Sequence, residues 1–337
     1  MKKLIDFDEK ILVAGANGMV GKSVINNLIK KGYGLSKHNG KIFVPNRKDL
    51  NFLNINEVEY WFKNNKPTIV IVAAAKVGGI WANDNYPTEY ILENLKIQNN
   101  IIETAWKNNV KRLLFLGSSC IYPKFAKQPI EEEYLLTGEL ETTNQWYAIA
   151  KIAGVKLCEA LRKQHGFDAI SLMPTNLYGP GDNYHPKNSH VIAAFIKKFY
   201  EATKNSFSSV TCWGTGSPYR EFLHVDDLAN AIIFALEKWD PNSSNSPTYK
   251  NGELLSFLNV GTGIDIKIKD LATKISKIAG YRGEIIWDTT KPDGTPRKLL
   301  NVDRFKRLGW EPNISLEKGI VQTLNSFEKE YYKLFFK

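Results

Sequence analysis

Short, uniformly apolar runs recur through the first half of the chain, each followed by a stretch with helical spacing. Residues 10–16 hold Ile11-Leu12-Val13-Ala14, Ile42-Phe43-Val44 comes next, and 68–75, 111–117 and 167–173 follow. None of these alternates apolar with polar positions, so each reads as a strand buried on both faces. Residues 19–29, a segment holding Val58 to Phe62, 94–106 and 147–161 repeat apolar positions three and four apart and read as helices. Strands alternating with helices predict an α/β fold built on a Rossmann-like, doubly wound parallel sheet.

After Pro174 the pattern changes. Residues 174–190 are rich in Pro, Gly, Asn and His and suit a functional loop, and a helix is expected over 191–203. An apolar run at 210–213, a loop at 214–219, and Arg220-Glu221-Phe222-Leu223-His224-Val225-Asp226-Asp227 come next. Residues 240–252 form a polar excursion that predicts a surface loop, and 264–337 alternates helix with short strand. This half predicts a smaller α/β lobe laid over the crevice at the carboxyl ends of the strands.

Composition narrows the function classes. With 337 residues, 43% hydrophobic and 24% charged, the chain has the makeup of an ordinary globular protein. Its longest apolar runs fall short of the roughly 18–20 residues a membrane span needs. Asp6, Asp8, Glu9 and Lys10 interrupt the apolar region a signal peptide would require after Met1-Lys2-Lys3. A cytoplasmic protein without membrane contact is expected. Cys120, Cys158 and Cys212 are too few and scattered for a disulfide framework, and the five histidines form no helical ligand pair, so no metal is needed. The net charge of +10 is spread along the chain without interleaved aromatics, which favours an anionic small molecule over nucleic acid.

The candidate chemistry lies at the ends of the strands. Gly15-Ala16-Asn17-Gly18-Met19-Val20-Gly21 joins the first strand to the first helix, where glycines permit a tight turn and close approach of a pyrophosphate to a helix N-terminus. The second strand is followed by Pro45-Asn46-Arg47-Lys48, with no acid until Asp49. An acid there would bind a ribose 2′-hydroxyl, whereas Arg47 offers a fork for a 2′-phosphate, so NADP(H) is the expected cofactor. Ser118 follows the fourth apolar run, and Tyr147 and Lys151 fall one turn apart on one helix face. A phenol, a serine hydroxyl and a nearby ammonium that favours the phenolate suit hydride reduction of a ketone. Cys120, two residues beyond Ser118, is an extra that simple ketone reduction does not use.

With these motifs in place, the chain resembles the extended short-chain dehydrogenase/reductases acting on nucleotide sugars, and among them those that epimerise and reduce a GDP-4-keto-6-deoxy sugar. The resemblance runs through Ala73 to Ile80, Gly117 to Lys124, Tyr147 to Gly154, Pro174 to Pro180, Asn188 to Val191, Arg220 to Asp227 and Lys291 to Leu300. Asn17 in the glycine turn and the 240–252 excursion depart from it. The resemblance implies Ser118, Tyr147 and Lys151 as the reductase set, with Cys120 and His190 as base and acid of epimerisation. It implies that residues 15–21, Arg47, Ala74, Leu116, Gly117, Ser118, Ser119, Tyr147, Lys151, Pro174, Thr175, Asn176, Leu177 and His190 hold the cofactor. It assigns Asn176, His190, Lys198, Trp213, Arg220 and Asp293 to a GDP-sugar substrate. It further implies a cofactor domain over 1–178, extended by about 223–240 and 257–262, a nucleotide-sugar lobe over 179–337, and a homodimer through the helices at 94–106 and 147–161.

Overall fold

The computed structural model describes residues 3–186, 188–291 and 293–335; Met1 and Lys2 of the opening triplet and Pro292 of the Lys291–Leu300 run lie outside the described residues. The first half folds in the order β1 (Lys10–Ala14), α1 (Met19–Lys30), β2 (Lys41–Phe43), α2 (Ile55–Asn65), β3 (Ile69–Val72), α3 (Ile80–Asn85), α4 (Pro87–Lys107), β4 (Arg112–Leu116), α5 (Gln145–His165) and β5 (Ala169–Pro174). The second half adds β6 (Asn176–Tyr178), α6 (Val191–Lys204), β7 (Ser209–Trp213), β8 (Tyr219–His224), α7 (Val225–Lys238), β9 (Phe257–Val260) and β10 (Asp265–Lys267). It ends with α8 (Ile268–Ile278), β11 (Glu284–Asp288), β12 (Arg297–Lys298), α9 (Asp303–Arg307) and α10 (Leu316–Phe335).

The main sheet is parallel throughout, in the order β2-β1-β3-β4-β5-β9. Every residue of β3, β4, β5 and β9 is buried, which is why their sequences carry no alternation. The chain leaves β1 towards β2 on one side and resumes at β3 on the other. That reversal opens a crevice at the carboxyl end of β1, where ligands of such sheets bind.

Helix boundaries differ in instructive ways from the apolar pattern. The helix expected over 94–106 begins at Pro87, because proline is tolerated in the first turn, where its missing N–H has no partner to lose. Asn94 is buried inside α4, its side chain accepting from Lys76 N at 2.9 Å and donating to Lys76 O at 3.0 Å. An asparagine that resembles a helix start is thus a tether for the segment after β3.

The second sheet centres on β8, which pairs antiparallel with β10 and parallel with β12 and β6. A separate parallel pair joins β7 to β11. Phe195, Phe199, Tyr281 and Phe327 belong to a second hydrophobic core between α6, α8 and α10. The chain returns to the first layer through α7 and β9. His224 Nδ1 accepts from Asp226 N at 3.2 Å and so caps α7 at the junction. Asn259 on β9 accepts from Tyr122 Oη at 2.6 Å and donates to the carbonyls of Ile130 at 3.0 Å and Asn301 at 3.2 Å. These bonds tie β9 to the segment after β4 and to the segment after β12.

Candidate active site

One cleft of about 1240 Å³ runs between the sheets. The 15–21 turn, Arg47, Ala74, Gly117, Ser118, Ser119, Tyr147, residues 174–177 and His190 line it, together with Cys120, Lys198, Trp213, Arg220 and Asp293. Leu116 and Lys151 stand behind the wall. Lys151 is 3% exposed and donates from Nζ to Leu116 O at 2.7 Å. Residues as far apart in sequence as Gly15 and Lys298 therefore face one space.

The turn after β1 is shaped for an anion. Gly15 has a φ of +89°, and a Cβ there would lie 2.7 Å from Ala74 N. A Cβ on Gly21 would sit 2.1 Å from Gly15 O, so this glycine lets α1 close against its own turn. Gly18 is the N-cap of α1, with no side chain capping it and no acid in the first turn. The positive end of the helix is left open towards the cleft, which fits a diphosphate. After β2, Asp49 accepts from Asn46 N at 3.1 Å and caps its own turn. Arg47 is exposed on the cleft wall and is the group there able to meet a 2′-phosphate.

Burial dominates the electrostatics of the reductase set. The Tyr147 phenol is held well above its ordinary value by burial, opposed by a hydrogen bond with Ser118. Burial lowers the Lys151 ammonium to about 7. Its Nζ lies 5.7 Å from the Tyr147 ring centre and 4.7 Å from that of Phe115. Lys151 thus bonds a carbonyl while standing beside the phenol, and burial favours the protonated phenol, the form that donates a proton.

Cys120 sits in a short turn after β4 whose backbone is capped by Ser118, Cys120 N donating to Ser118 Oγ at 3.2 Å. Its sulfur accepts from Asn144 Nδ2 at 3.4 Å and from Lys298 Nζ at 3.6 Å. The sulfur thus has two nitrogen donors, one an amide and one an ammonium. His190 is the N-cap residue of α6 but its side chain makes no capping bond. It is exposed on the cleft wall, and desolvation there lowers its imidazole below the ordinary histidine value.

At the far end Trp213 is 54% exposed, with Lys198 Nζ and Lys291 Nζ each 5.9 Å from its ring centre. An exposed indole between two ammonium groups suits an aromatic base carrying phosphates. Arg220 is lowered by burial, and its guanidinium donates to Tyr219 O at 2.8 Å. Asp293 is engaged already: Oδ1 accepts from Thr215 N and Oδ2 from Thr215 Oγ1, both at 2.8 Å. Its carboxylate clasps the loop beside Trp213. Two residues escaped the sequence reading. Asn144 lies three residues before Tyr147, and Lys298 belongs to the Lys291–Leu300 run noted above; neither spacing gave it a role.

Comparison with known proteins follows the same lines. Residues 11–249 match the model of the NAD dependent epimerase/dehydratase family. GDP-L-fucose synthase 1 of Arabidopsis thaliana is 48% identical over 329 residues, covering 98% of this chain and 96% of that protein. The solved structure of a GDP-6-OMe-4-keto-L-xylo-heptose reductase from Campylobacter jejuni matches with a TM-score of 0.86 at 33% identity, covering 97% of this chain and 99% of the other. A GDP-mannoheptose C4 reductase from Campylobacter jejuni, solved with NADP bound, matches with a TM-score of 0.82 at 34% identity, over 96% and 99% of the two chains.

Proposed function

The chain belongs to the NAD dependent epimerase/dehydratase family, and we propose on that footing that its cleft converts a GDP-4-keto-6-deoxy sugar to GDP-L-fucose. The reaction is epimerisation at C3 and C5 followed by NADPH-dependent reduction at C4. One observation carries this reading: a thiol with two donors on its sulfur shares the cleft with a half-buried phenol and serine hydroxyl.

The cofactor is NADP(H), and the 15–21 turn, Arg47 and residues 174–177 would hold it. When bound, it supplies the hydride that reduces C4. Ser118 and Tyr147 hold the C4 oxygen, and Tyr147 gives it a proton. The same grip stabilises the enolate formed when a hydrogen is removed from C3 or C5, since the charge of either enolate rests on that oxygen. Cys120 takes the proton from one face and His190 delivers one to the other. A neutral imidazole must first gain that proton, and an anionic diphosphate in the cleft favours the protonated form. Each inversion leaves Cys120 with an extra proton and His190 lacking one, so both exchange with solvent before the next. Proton transfer by such groups contributes about 10²–10⁴ in rate.

Lys198, Arg220 and Trp213 would take the GDP moiety, with Asp293 fixing the loop beside them. The cofactor domain is assigned to 1–178 with about 223–240 and 257–262, and the nucleotide-sugar lobe to the remainder of 179–337. A cytoplasmic setting accords with three free thiols. Among the described residues no helix is long and apolar enough to cross a membrane. A homodimer through α4 and α5 accords with exposed Leu92 and Ile149 on those helices.

The likeness to a heptose reductase favours one second reading, reduction of another GDP-4-keto sugar with fewer inversions or none. Incubation with NADPH in D₂O and either GDP-4-keto-6-deoxymannose or a GDP-4-keto-heptose, followed by NMR of the products, separates the two. GDP-L-fucose deuterated at C3 and C5 is expected, and Cys120→Ser is expected to abolish the deuterium while NADPH still binds. Product from the heptose alone would overturn the assignment.

A further inference from the structure

We propose that Lys298 is a positioning residue for Cys120, its ammonium holding the sulfur as a thiolate aimed into the cleft. The proposal rests on the reading of Cys120 as the epimerisation base. Lys298 arrives from the second sheet, in register with Arg220 on β8. Residues paired in this way project from the same face, so both cations are brought towards the turn that carries Cys120. Of these two cations it is Lys298 that bonds the sulfur, at 3.6 Å.

The other charged groups around this thiol are committed elsewhere. Arg220 lies within electrostatic reach of Cys120, but its guanidinium donates to Tyr219 O at 2.8 Å. Lys124 faces Glu141 at 3.8 Å, and Arg297 is paired with Asp265 at 2.6 Å. Glu141 lines the small space beside Cys120, and Tyr147 faces the thiol from α5. Among the described residues, Cys120 is the one side chain that Lys298 meets by hydrogen bond or ion pair. A partly buried ammonium without a carboxylate is costly unless it serves another negative charge. The thiolate is that charge.

This placement also ties the base to the junction of the lobes. Ile130 N donates to Leu299 O at 2.7 Å, and Leu300 N to the buried Glu221 at 3.0 Å. The backbone on the C-terminal side of Lys298 is therefore fixed, and its side chain approaches Cys120 from a rigid strand. Asn144 supplies a second donor from the N-cap of α5.

The test reads the thiol directly, without substrate. Cofactor-free enzyme is treated with iodoacetamide near neutral pH, and alkylation of each cysteine is followed by peptide mass spectrometry, with buried Cys158 and Cys212 as internal controls. An adjacent opposite charge moves ionisation by about 1–3 pH units, so Lys298→Met is expected to slow alkylation of Cys120 at least about tenfold. The rate should recover at alkaline pH, and Lys298→Arg should restore it at neutral pH. Lys298→Gln provides a second variant if the first fails to fold, with NADPH binding reporting an intact fold. Equal alkylation rates in the folded Met or Gln variant and the parent would overturn the proposal. Failure of the epimerase reading is a separate result, seen as absence of C3 and C5 deuteration in the parent enzyme.

Discussion

A lysine buried without a carboxylate beside it exposes the central tension of this site at the level of single residues. Lys151 reads from sequence as an ammonium beside Tyr147, and burial lowers it to about 7. An unfolded lysine holds its proton up to about 10.5. Between those values the unfolded chain binds more protons than the folded one, so this residue makes stability rise with pH across that window. Lys151→Met removes the effect. In cofactor-free protein its stabilisation relative to the parent is expected to shrink by about 1.4 kcal/mol for each unit of pH raised across the window. Urea denaturation of both proteins at several pH values checks this, and a difference independent of pH would contradict it. Desolvation likewise raises the Tyr147 phenol and lowers the His190 imidazole from their ordinary values.

Among the elements, the turn joining β1 to α1 illustrates how three glycines divide their work. Gly15 answers a left-handed backbone, Gly18 leaves the helix end open, and Gly21 admits the helix against the turn. Gly21→Ala would drive its methyl group to 2.1 Å from Gly15 O and 2.7 Å from Ala16 Cα. Both contacts are backbone, so neither can swing aside. Overpacking of this kind costs about 1–3 kcal/mol. NADPH affinity is expected to fall at least about tenfold, a change of 1.4 kcal/mol, because the opened turn no longer aims its N–H groups at the diphosphate. Fluorescence titration with NADPH and denaturation measured together test this; unchanged affinity would refute it.

For the whole molecule, assembly and closure depend on contacts between distant segments. Glu221 on β8 is wholly buried and accepts from Gly263 N at 2.7 Å and Leu300 N at 3.0 Å, joining the segments after β9 and β12 to the second sheet. Asn259 performs the equivalent task from β9. The outer faces of α4 and α5 remain available, with Leu92 46% and Ile149 39% exposed. The parent is expected to sediment as a dimer at micromolar concentration, and Leu92→Glu with Ile149→Glu to sediment as a monomer, since charges cannot be buried unpaired in an apolar interface. A monomeric parent would remove the dimer.

The amino-acid sequence by itself determined the layered α/β plan, the places of the first five strands along the chain, the glycine turn and the reductase and thiol motifs. These are local signals: uniformly apolar strands, helical spacing and glycine at sharp turns depend on near neighbours. The pattern alone did not reveal that α4 starts at Pro87 or that Asn94 is a tether, since both depend on what packs alongside. Only the tertiary structure decided which charges remain charged and which donors meet the sulfur of Cys120. Lys298 is 178 positions from that cysteine, and no periodicity spans such a distance. Strand pairing brings it there, and burial, set by every surrounding element at once, decides its electrostatic company.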